Sequence, residues 1–64
     1  MSLSADLGSA ASTLDQLLER VSGATDALVE TGDEDLAMGL MEVERSLRVA
    51  SRRLERLVRD LRSR

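Results

Sequence analysis

Apolar side chains along this chain fall on two interleaved rows, each with a seven-residue repeat. In the first half Leu7, Leu14, Val21 and Leu28 form one row, and Leu3, Ala10, Leu17 and Ala24 form the other. The second half repeats the arrangement, with Leu40, Leu47, Leu54 and Leu61 in one row and Leu36, Val43, Ala50 and Leu57 in the other. Two rows at heptad spacing are the a and d positions of helices that pack along a seam. They predict helix 1 over about residues 3–31 and helix 2 over about residues 34–63, in a single domain spanning the chain. Between them lies "ETGDED", where Gly32 suits the left-handed position that closes a helix and Asp33 the N-cap that opens the next. A turn confined to residues 32–33 leaves the helices no choice but to run antiparallel. "SGAT" at residues 22–25 offers a bend in helix 1 as an alternative, but the heptad phase passes through it unbroken.

The two halves also match each other. Pairing Leu28 with Leu36 gives positions that add to 64, and the same sum joins Leu17 to Leu47, Leu14 to Ala50 and Leu3 to Leu61. Every a residue then meets a d residue, and in three layers an alanine faces a leucine, which keeps layer volume even. The fold class expected is all-α: an antiparallel two-helix hairpin with a heptad coiled-coil seam.

One seam is little burial for a chain of 64 residues. Beside it runs a third apolar strip, the e side. It holds Ala11, Leu18 and Thr25 on helix 1 and Ala37, Met41 and Val58 on helix 2, with Gly8 and Ser22 nearby as small residues. These are the self-association candidates, and the expectation is a homodimer packed through them into a four-helix bundle. The opposite flank, with Asp6, Arg20, Arg53 and Asp60, is wetter.

Composition narrows the chemistry. The chain has no Cys, His, Lys, Tyr, Phe or Trp, so thiolate and imidazole metal sites are excluded and the usual catalytic bases and nucleophiles are missing. "TGDEDLAMGL" lacks the ligand spacing of an EF-hand, and its acids straddle a helix start. The expectation is a non-enzymatic protein with no cofactor and no metal. No apolar run reaches the roughly 18 to 20 residues that span a bilayer, and "MSLSADLGSAASTL" has no secretory signal pattern. A cytoplasmic location, with no membrane partner, is expected.

Charge is distributed unevenly. Net charge is -3, yet eight of the nine arginines lie in the last twenty residues. A helix C-terminus favours cations, and Glu44 with Arg48, Glu55 with Arg59, and Asp60 with Arg56 and Arg64 stand at ion-pair spacing. Against that reading, Arg45, Arg48, Arg52, Arg56, Arg59 and Arg62 recur every three or four residues as a stripe, with Arg53 beside it. Arginine is the bidentate partner of carboxylates and phosphates. Without aromatics to stack on bases, an acidic protein surface is the expected partner and nucleic acid the alternative. The function expected is a small interaction module: an adaptor, a regulator or an antitoxin-like binder. A structural subunit of a larger assembly is a further alternative.

Overall fold

The structure, a computed structural model describing residues 2–64, is two long helices joined by a tight turn: α1 (Leu3–Glu30) and α2 (Glu34–Arg62). No strand is present among the described residues, and α1 packs against α2 along its length. The Cα atoms span 49 × 17 × 10 Å, a flat rod one helix thick. The all-α antiparallel hairpin is the fold that the heptads demand.

Local chemistry sets the ends. Ser2 is the N-cap of α1, in extended backbone, and its Oγ accepts a long 3.4 Å bond from the Ala5 N–H. The turn is a Schellman closure: the Gly32 N–H donates to the Val29 carbonyl (3.1 Å) and the Asp33 N–H to the Leu28 carbonyl (2.9 Å). That geometry needs a left-handed residue between them, and Gly32 supplies it at φ 81°. Asp33 then caps α2, its Oδ1 accepting from the Leu36 N–H at 3.5 Å. One residue thus ends one helix and starts the next, which leaves room only for antiparallel neighbours. Glu34 and Asp35 sit in the first turn of α2, and Arg59 and Arg62 in its last, both complementing the helix dipole.

No bend occurs at "SGAT"; α1 is continuous. Thr25 is 3% exposed, and its Oγ1 donates to the Val21 carbonyl of its own helix at 3.0 Å. A hydroxyl satisfied this way adds no buried polar cost, so the heptad phase prevails over weak helix propensity.

The seam lies on a different side of the helices from the one expected. The shared row Leu7, Leu14, Val21, Leu28 and its α2 counterpart Leu40, Leu47, Leu54, Leu61 are half-buried between the helices. The second seam row, however, is the e row. Ala11, Thr25, Ala37, Ser51, Val58 and Glu44 are the buried residues of the hairpin. The d row expected there instead faces outward, with Leu3 63%, Leu36 59% and Leu57 59% exposed. Side-chain size explains the rotation. Alanine, serine and threonine let two helix backbones approach more closely than a ladder of leucines would, so the contact forms on the small residues. Two apolar rows and a third row of mostly small residues are also more than one neighbour can cover. A strict a/d stripe serves a two-stranded seam, whereas a, d and e together belong to a helix with two neighbours.

Candidate interaction surfaces

Two surfaces remain, a leucine face and an arginine face. The leucine face is built from the a and d rows of both helices. Sixteen positions contribute, all Leu, Val or Ala, and eight of them (the d rows) are exposed. At about 1.5 Å per residue the face is about 40 Å long. No charged or polar side chain interrupts these rows. Leu3, Leu7, Leu57 and Leu61 line one cleft at the terminal end, which places these two layers side by side as the sum of 64 requires.

Behind the seam, a half-buried polar contact locks the register. The Ser51 hydroxyl donates to Asp15 Oδ1 at 2.6 Å, joining the middle of α2 to the middle of α1. Ser51 is 5% exposed while Asp15 is open to solvent. Heptad reading gave both residues no role, since a serine in an e row reads as small polar surface. Their signal is only their level, because the two positions fall within one turn of the Leu14–Ala50 layer. A Cβ at Gly8 would lie 3.1 Å from Arg62 Nη2, the tip of an exposed side chain that can shift aside.

The six residues expected to carry self-association are mostly spent inside the hairpin. Ala11, Thr25, Ala37 and Val58 are buried against the other helix and Leu18 is half-buried. Met41 alone is exposed, at 47%, where it lines a small apolar cleft with Val29 and Met38 at the loop end. The surface left for a partner is therefore the d side. It was missed because a and d were assigned wholly to the internal seam.

Arg45, Arg48, Arg52, Arg53, Arg56, Arg59 and Arg62 are all exposed. Among the described residues one ion pair forms, Arg45 to Glu42 at 3.5 Å, with both side chains about as open as a helix surface allows. None of the pairs read from spacing is made. Glu44 turns into the seam at 8% exposure, and Glu55 is half-buried beside Val58. The other eight arginines, Arg20 and Arg64 included, have no carboxylate at ion-pairing distance.

The remaining relief is shallow. Surface grooves of about 250 to 290 Å³ run along the helices, one of them lined by Gly8, Ala11, Ser12 and Asp15 against Glu55, Val58, Arg59 and Arg62. Among the described residues no cluster of acids could hold a metal ion, and no helix is long and apolar enough to cross a membrane. The fold and its two faces define a helical hairpin with one apolar and one cationic surface. No family model, curated protein or solved structure matches the chain.

Proposed function

We propose that this chain is a small non-enzymatic protein–protein interaction module, an adaptor, regulator or antitoxin-like binder that works as part of a helical bundle. The observation that carries the reading is the uncovered leucine face. A contiguous apolar strip about 40 Å long across a hairpin about 17 Å wide presents roughly 700 Å², more than the few hundred Å² that soluble monomers ordinarily expose, and such patches mark protein interfaces. Its rows are helical ridges, so they fit another helical surface. The residue inventory supports a binding role over catalysis, since carboxylates, serines and arginines on an open rod make no enclosed site.

The arginine face gives the module a second contact. Its exposed guanidinium groups, all but that of Arg45 unpaired, suit carboxylates on a protein partner, with Arg45, Arg48, Arg52, Arg56 and Arg59 as the contacts. The same unpaired state favours one second reading, binding to phosphates of nucleic acid, which the missing aromatics disfavour. Light scattering with refractive-index detection tests the first reading. Wild type should run heavier than one chain, and Leu17→Glu, on the exposed row, should return it to one chain without loss of helix by circular dichroism. A helical wild-type monomer would refute it. The chain has no Trp or Tyr, so a copurifying absorbance near 260 nm that disappears in high salt would favour the second.

A further inference from the structure

We infer that the occupant of the leucine face is a second copy of this chain, laid across it with the two loops at opposite ends. The inference rests on the interaction-module reading and adds the partner and its orientation.

Area comes first. A face about 40 Å long and about 17 Å wide presents roughly 700 Å² per copy, so two copies cover roughly 1,400 Å², inside the range of stable pairs. Two hairpins facing each other through these rows make four helices, and each helix then has two neighbours, one on its a and e rows and one on its a and d rows.

Two dyads would bring such faces together. A dyad along the rod places both loops at one end and stacks every layer on itself. A dyad across the rod places the loops at opposite ends and stacks each layer on its mirror in height. The alanines discriminate between them. Layers Ala10–Leu54, Leu14–Ala50 and Ala24–Leu40 each hold one alanine. With loops together, each of these layers doubles to two alanines while the other layers have none. With loops opposed, Ala10 and Leu54 meet Val21 and Val43 of the second copy. Leu14 and Ala50 then meet its Leu17 and Leu47, and Leu7 and Leu57 meet its Ala24 and Leu40. No four-residue layer then holds more than one alanine, and volume stays even along the core.

Charge points the same way. In α2 the loop half, residues 34–47, carries four acids against one arginine, a net of -3, and the terminal half, residues 48–62, carries six arginines against two acids, a net of +4. α1 is acidic in both halves, a net of -2 over residues 3–16 and again over residues 17–30. Opposed loops set the acidic half of each α2 beside the basic half of the other, with the weaker α1 charges beside each other, whereas loops together set the acidic half of α2 beside the acidic loop half of the other copy's α1. The flank beside the leucine rows agrees. With loops together Asp6 of each copy is level with Asp60 of the other, and with loops opposed these acids face Ala27 and Gly39. The arrangement makes α1 the neighbour of the second copy's α1, and α2 of its α2. Arg45, Arg52, Arg53 and Arg56 of both chains then gather on one side, within about 11 Å of the dyad along the rod.

Spin labelling tests this on the full chain, which has no native cysteine. Glu30→Cys carries an exposed label at the loop end of α1, and Arg64→Cys carries one at the other end. Mass is measured on the same samples. Expected is a two-chain mass, with label-to-label distances near 40 Å for each variant, since each pair of labels sits at opposite ends of the bundle. A two-chain mass with either distance under about 25 Å overturns the orientation and keeps self-association. A one-chain mass, or any defined mass other than two chains, overturns the self-dimer itself.

Discussion

Truncating the half-buried hydrogen bond between the helices separates register from general hydrophobic packing. Ser51 donates to Asp15 Oδ1 at 2.6 Å, a bond to a charged acceptor, and such bonds contribute about 1.5 to 3 kcal/mol. Exposure reduces the figure here. Asp15 is open to water, so Ser51→Ala lets its carboxylate rehydrate, and the net cost should be about 1 kcal/mol. Asp15→Ala strands a hydroxyl that is 5% exposed, though it can turn to a carbonyl one turn back in α2, which again leaves about 1 kcal/mol. If both losses are the same bond, the double variant costs little more than either single one. The coupling energy from a double-mutant cycle is then about 1 kcal/mol, and each single variant melts about 4 to 8 °C lower. Urea or thermal unfolding at fixed protein concentration reads all four corners. Additive single variants, with coupling under about 0.3 kcal/mol, or a Ser51→Ala variant more stable than wild type, would refute the reasoning.

Three other changes probe separate parts of the structure. Ala37 is 1% exposed against α1, so Ala37→Leu should overpack the close contact and lower stability by about 1 to 3 kcal/mol in a denaturant titration. Gly32→Ala places a Cβ at φ 81°, where nothing clashes but the conformation itself is unfavourable, and should cost about 1 to 2 kcal/mol by the same measurement. Arg56→Ala removes an exposed guanidinium with no ion-pair partner, so the unfolding free energy should change by less than about 0.5 kcal/mol.

How far the heptads reach is visible in particular residues. Leu7 through Leu28 and Leu40 through Leu61 specify two helices, because a seven-residue repeat of branched aliphatics has one compatible backbone. Gly32 and Asp33 specify the turn, because only glycine enters the left-handed region at no cost and aspartate caps the helix that follows. Those are local causes, and a reading of neighbouring residues finds them. The arginine stripe was equally legible as a row of exposed positions. Whether those arginines find partners was not, since Glu44 stands at good spacing from Arg48 and yet turns into the seam.

Rotation of each helix about its own axis belongs to tertiary structure. The d rows, Leu3 to Leu57, are apolar throughout, whereas the e rows, Ala11 to Val58, mix apolar residues with Thr25, Glu44 and Ser51, and periodicity alone ranks the larger apolar side chains as core. Close approach of two backbones favours the smaller ones, and that preference appears only when one helix meets another in space. The hairpin therefore buries Ala37, Ser51 and Thr25 and turns Leu17, Leu36 and Leu57 to the outside. One stripe fewer is covered than the chain provides. Pattern dictates how many apolar rows there are, and packing decides which of them remains for a partner.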